Sequence, residues 1–176
     1  SQTWFLEQAG WTGVLVEPQP DLAVQLRAKR KARVFEVACS SPENAGRNLS
    51  FHVAGPLSSL DRHHMAPGAM PERVISVPVR TLDSILTEAD TPVAFDFLSI
   101  DVEGHESAAL RGMAATLKSV RPVVIVEMHG DREFLSILED ADYACSVVEG
   151  GGLLAKAPWW AHVLALPLPR GGHRSR

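Results

Sequence analysis

The sequence predicts an α/β fold, a mostly parallel sheet flanked by helices and closed on its C-terminal side by an antiparallel hairpin. Three observations predict it. Short unbroken apolar runs such as Val14-Leu15-Val16 suit strands buried on both faces. These runs alternate with helical segments over short connections, as in βαβ units that cross over right-handed. Finally, Tyr143 to Val148 and Trp159 to Leu166 are joined by a link containing Gly150-Gly151-Gly152. That link is too short for a parallel crossover, so the two strands must be antiparallel.

Taken in order, residues 4–9 end a helix stopped by Gly10, and Gly13 to Glu17 is a strand. A helix follows from Asp21 to about Lys31, with Leu22, Ala23 and Leu26 inward. Its acid comes first and its bases last, which matches the helix dipole. Val34 to Cys39 is the next strand. Residues 40–73 are rich in Ser, Asn, Gly, Pro and His and read as an insertion. In and just after it, Leu49 to Val53 and Val74 to Val79 alternate as an extra hairpin, and Ser58 to Gly68 is a loop. Leu82 to Leu86 is a short helix, Phe95 to Val102 a strand, and Glu106 to Val120 a helix with Leu110, Met113 and Leu117 inward. Val123 to Met128 is a strand, and Asp131 to Asp140 a helix burying Phe134, Ile137 and Leu138. The closing hairpin completes a single domain over residues 1–166, and 167–176 form a disordered basic tail.

The composition excludes several classes. With 45% hydrophobic and 22% charged residues, the chain is neither collagen-like nor disordered. Seventeen basic against twenty-one acidic residues give a net charge of −4, which offers nothing to nucleic acid or an anionic membrane. Cys39 and Cys145 have no C-x-x-C spacing and read as buried free thiols. Ser1-Gln2-Thr3-Trp4 lacks the regions of a signal peptide, and the apolar tract at 157–169 is too short to span a bilayer. The expectation is a cytoplasmic protein. The oligomeric state is not set by the sequence, and a homo-oligomer stays open.

Ligands of open α/β sheets bind beyond the carboxyl ends of the strands. Glu17 ends the first strand, where a carboxylate suits the two hydroxyls of a ribose, or is an ordinary surface glutamate. Asp101 closes the run Phe97 to Ile100 at the same edge and reads as a site residue. Glu103 and Glu106 read as acids stabilised by the N-terminus of the following helix. Glu127 breaks an apolar run and needs a partner if buried. His129, beside Gly130, either caps its strand or serves as a general base. His52, His63 and His64 fit no metal motif. The cluster Asp101, Glu103, His105 and Glu106 could hold a divalent metal, but alternate strand residues face opposite ways, which favours the reading without one and leaves open whether a metal assists. No metal is expected. The three glycines at 150–152 join two strands, so they form a turn and not a phosphate loop.

Several of these segments together resemble a known family. Gly10-Trp11-Thr12-Gly13 with Val16-Glu17-Pro18 resembles the second-strand segment of FkbM-type methyltransferases. Thr81-Leu82-Asp83 resembles their T-L-D segment. Asp101-Val102-Glu103-Gly104-His105-Glu106, followed by Leu110-Arg111-Gly112, resembles their D-x-E-G-x-E block with its downstream L-x-G. The resemblance implies a Rossmann-like, seven-stranded class I sheet and S-adenosylmethionine as cofactor. By position it implies that Glu17 holds the ribose, and that Ala38, Cys39 and Ser40 border the adenine. Asp101 would lie near the methionine part or the reacting centre, with His129 or Asp101 taking a proton from a hydroxyl. The implied reaction is O-methylation of a small molecule or sugar, chosen by the 40–73 insertion. Two departures accompany the resemblance. The family's first, central strand and its D-x-G-A-x-x-G loop do not precede Ser1, so a chain with weak or no cofactor binding is expected as it stands. Gln19 replaces the usual Asn helix cap and caps poorly. The rival readings are a non-catalytic binding module of that fold and a nucleotide-dependent oxidoreductase.

Overall fold

The computed structural model describes residues 3–60, 62, 70–89, 95–148 and 160–170. His63, His64, the glycine turn at 150–152, the start of the closing strand at Trp159 and the tail from 171 lie outside the described residues, as does most of the loop at 58–68.

Helix α1 (Trp4–Gln8) leads into β1 (Val14–Val16), α2 (Pro20–Lys29) and β2 (Arg33–Phe35). β1 and β2 pair in parallel, Leu15 opposite Val34, which is the expected βαβ unit. Gln19 makes no side-chain cap to α2, and Pro20 starts the helix instead. Leu22, expected inward, is exposed, and Ala23 is the residue α2 buries. A methyl group at the contact lets the helix lie close to its strands, which turns Leu22 to the rim of a cavity.

The expected strand from Val34 to Cys39 is two strands. The chain bends at Val37, and β3 (Ala38–Cys39) joins a different sheet. There β3 pairs in parallel with β5 (Arg73–Arg80), and β5 pairs antiparallel with β4 (Asn48–Val53). The extra hairpin therefore forms, and its alternation buries Phe51, Val53, Val77 and Val79 in a small core of their own.

The third sheet has the order β6 (Phe97–Ile100), β7 (Val123–His129), β9 (Trp160–Pro167), β8 (Tyr143–Val147). β6 and β7 are parallel, and β9 runs antiparallel to both of its neighbours. The closing hairpin is thus present, with β9 seated inside β8. Among the described residues the strands form three hydrogen-bonded sheets of two, three and four strands, where one sheet was expected. The division between the first and third lies between β1 and β6. A cavity of ≈ 440 Å³ separates them, lined by Val14 and Leu15 on one side and Leu98 and Ser99 on the other. The main core spans this division, from Phe35 through Ile85 and Leu110 to Phe134 and Tyr143.

The helix expected over 106–120 is broken into α4 (Glu106–Arg111) and α5 (Ala114–Ser119). Leu110, Met113 and Leu117 are inward as expected. The break falls at Gly112, where a β-carbon would stand 2.2 Å from the carbonyl oxygen of Ser40. Only glycine lets these two backbones touch. Helix α3 (Leu82–Glu88) explains the T-L-D segment. Thr81 Oγ1 accepts the Ser84 amide at 3.2 Å and caps α3, and Leu82 is buried. Asp83 reaches across to cap α5, accepting the amides of Ala115 and Thr116 at 3.1 and 3.0 Å and the Thr116 hydroxyl at 2.6 Å. No described helix is long and apolar enough to cross a membrane.

Two substitutions test this framework by urea denaturation. Asp83→Ala removes a three-bond cap and is expected to cost about 1–3 kcal/mol. Gly112→Ala is expected to cost about 1–3 kcal/mol through overpacking against Ser40. An unchanged midpoint for either would contradict the corresponding contact.

Candidate active site

The chain turns sharply where β6 ends. Glu103 and Gly104 both adopt positive φ, +47° and +86°, a geometry that costs a non-glycine residue energy and needs external support. The Ser59 hydroxyl supplies it by donating to the Glu103 carbonyl at 2.6 Å. Two left-handed residues in succession fold the segment back so that the Glu106 side chain passes inward. Glu106 has no solvent exposure. Its Oε1 accepts the Gly104 amide at 2.9 Å and faces His129 Nδ1 at 3.1 Å. The helix-terminal role expected for Glu106 is therefore joined by a second one, tying the end of β6 to the end of β7.

His129 is 3% exposed and stands among carboxylates. Its Nε2 lies 3.5 Å from both Glu103 Oε2 and Glu127 Oε1. Glu127 has found the partners its position demands. Trp160 Nε1 donates to its Oε1 at 2.7 Å, and His162 Nε2 lies 3.5 Å from its Oε2. The β7–β9 register sets this up, placing Glu127 opposite His162 and His129 opposite Trp160. Asp101 completes the group, with one ligand atom each from Asp101, Glu127 and His129 lying within 4.8 Å of one another.

Crowding of acids shifts their titration. Burial, reinforced by the charges of Asp101, Glu127 and Glu106, pushes the Glu103 carboxyl up to about 7 against the pull of His129. Partial burial and then the Glu127 charge raise Asp101. Burial pulls the His129 imidazole down, but Glu106, Glu103 and Glu127 outweigh it and hold it above its ordinary value.

Glu17 lies at the end of β1 and accepts the Gln19 amide at 2.9 Å, and burial raises its carboxyl. It lines a second cavity of ≈ 260 Å³ whose walls include Ala38, Cys39, Phe51, Asp101 and Glu103. Of the residues foreseen from the sequence, Glu17, Ala38, Cys39 and Asp101 therefore meet at one cavity. Ser40 and His129 do not line it. Ser40 is fully buried behind it, with His105 Nε2 at 2.8 Å and the Asn44 amide donating at 3.0 Å. Cys39 is buried as expected, its thiol pushed up to about 12, whereas Cys145 is half-buried and burial pushes it to about 11. Trp160 and His162 were missed. The signal was present in the antiparallel hairpin, since 160 and 162 share a face with 127 and 129.

A family model described as the methyltransferase FkbM domain matches residues 1–145. Among solved structures, the methyltransferase FkbM from Methylobacillus flagellatus KT is similar at 15% identity and a TM-score of 0.47, over 86% of this chain. The chain spans 35% of the length of that protein. No curated protein sequence matches this chain. The chain belongs to the FkbM methyltransferase family.

Proposed function

We propose that the chain carries the cofactor side of an S-adenosylmethionine-dependent O-methyltransferase whose acceptor is a small-molecule or sugar hydroxyl. The observation that carries this reading is the meeting of Glu17 and Asp101 in one cavity, at the carboxyl ends of two strands from different sheets. The Rossmann-like arrangement is part of the proposal, with β1 and β6 facing each other across one cavity.

The residues present fit the cofactor. A carboxylate has about four acceptor sites, and Glu17 uses one on the Gln19 amide, so it can still accept both ribose hydroxyls. Ala38, Cys39 and Phe51 give the apolar wall that an adenine ring requires. The sign of the charge also discriminates. Asp101 and Glu103 at the cavity suit a sulfonium cation and oppose the pyrophosphate of a nicotinamide dinucleotide. When bound, the cofactor supplies an electrophilic methyl group for in-line displacement.

The chain's own contribution is to orient the reactants and take up a proton. Alignment supplies much of the acceleration of such a displacement. Asp101 lines the cavity and holds the acceptor proton at its carboxylate. His129 stands behind it and, with Glu127, sets the charge of that carboxylate. His129 thus supports the transfer from a buried position, where the sequence put it at the acceptor. The cytoplasmic setting and the absence of nucleic-acid and membrane partners stay part of the proposal.

Calorimetry tests the cofactor assignment. In the protein, Glu17→Ala is expected to weaken S-adenosylmethionine binding by about 1–3 kcal/mol, roughly 5- to 150-fold. Unchanged affinity, or tighter binding of a nicotinamide dinucleotide, would contradict it. Steady-state kinetics tests the acceptor side. Asp101→Asn and His129→Ala are expected to lower turnover more than cofactor affinity, the former by roughly 10²–10⁴-fold. Turnover of His129→Ala equal to the parent across pH 6–9 would remove His129 from the proton path.

A further inference from the structure

We propose that Asp101, Glu127 and His129 form a divalent-cation site of the oxygen-rich class, with Mn²⁺ as the fitting ion. The geometry comes from two adjacent strands. Asp101 follows β6, while Glu127 and His129, two residues apart, share one face of β7. Their ligand atoms lie within 4.8 Å of one another. Two ligands on one ion are separated by at most about twice a metal–oxygen bond of roughly 2.1–2.4 Å, so this spacing needs only small side-chain movements.

The imidazole is set for the task. Glu106 is a fully buried acceptor 3.1 Å from Nδ1, so Nδ1 carries the proton and donates. A carboxylate behind a histidine is the usual arrangement that turns the other nitrogen toward a metal. That nitrogen, Nε2, faces Glu103 and Glu127 at 3.5 Å each, beyond the range of a good hydrogen bond and suitable for neighbours on one coordination sphere.

A second observation points to a cation. Glu103 is only 8% exposed, and among the described residues its Oε2 has no hydrogen-bond partner. His129 Nε2 lies 3.5 Å from that oxygen, so the carboxylate is aimed at the same space. A buried carboxylate oxygen without a donor costs free energy that a cation beside it would offset. The sequence did not reveal this group because its members come from separate strands. The donor set, carboxylate oxygens with one imidazole and no sulfur, suits Mn²⁺ better than a cysteine-rich zinc centre or an all-oxygen calcium site. With an ion bound, Asp101 would hold the ion in place of a proton, and the ion would acidify the acceptor hydroxyl.

The site can be tested with the metal alone, independently of methyl transfer. Metal-stripped protein is titrated with MnCl₂ by calorimetry and followed by pulsed electron paramagnetic resonance. One Mn²⁺ per chain is expected, with nitrogen modulation from the imidazole. Asp101→Asn and Glu127→Gln are expected to weaken binding at least about 10-fold. His129→Ala is expected to abolish the nitrogen modulation. Asp101 is exposed and Asp21 is a surface acid paired with Arg73, so Asp101→Asn and Asp21→Asn both keep the fold for comparison. Absence of saturable binding below 1 mM MnCl₂ would overturn the proposal, leaving an imidazolium shared among the carboxylates. Equal weakening by Asp21→Asn and Asp101→Asn would also overturn it.

Discussion

A carboxylate with no solvent exposure must draw its stabilisation from the protein, and Glu106 draws it from the Gly104 amide and the His129 imidazole. These two contacts fasten the end of β6 to the end of β7. The first requires Gly104 and Glu103 to turn left-handed, which aims the Glu103 side chain at His129. The second fixes the His129 ring, which sets what its other nitrogen faces. The positions of Glu103, Glu127 and Asp101 around that nitrogen follow from this one buried group. Removing a partner from a buried charge costs more than the net value of the bond, so the arrangement has few alternatives.

The remaining segments of the family pattern hold the scaffold that brings the strand ends together. Asp83 caps α5, so the helix after the break starts at a fixed point. Gly112 lets the break touch the backbone of Ser40, directly after β3. Ser40 in turn contacts His105, two residues from Glu103. The helix break, the middle sheet and the turn after β6 are thereby linked through short-range contacts. The cavity holding Glu17 is walled by β3 on one side and by this turn on the other.

Much of this was legible in the sequence, for physical reasons that differ by element. Strands such as Val123–His129 open on β-branched runs, here Val123 to Val126, and the inward faces of the helices carry Leu110, Leu117, Phe134 and Leu138 at helical spacing. The carboxylates Glu17 and Asp101 stood out because each ends an apolar run. What could not be read depended on distant contacts. The break at Gly112 needs the Ser40 carbonyl, and the bend at Val37 needs β5 as an alternative partner for Ala38 and Cys39. The dual role of Glu106 needs His129, twenty-three residues away. His129 was expected at the acceptor because it ends a strand, yet its neighbours draw it inward.

Acids at two strand ends suit a cofactor with a diol and a positive centre. A crystal structure of the protein with S-adenosylhomocysteine tests this match of charges most directly. The ribose hydroxyls are expected within hydrogen-bond distance of Glu17, the adenine against Ala38 and Cys39, and the sulfur toward Asp101. A product bound elsewhere, or with its ribose away from Glu17, would contradict it.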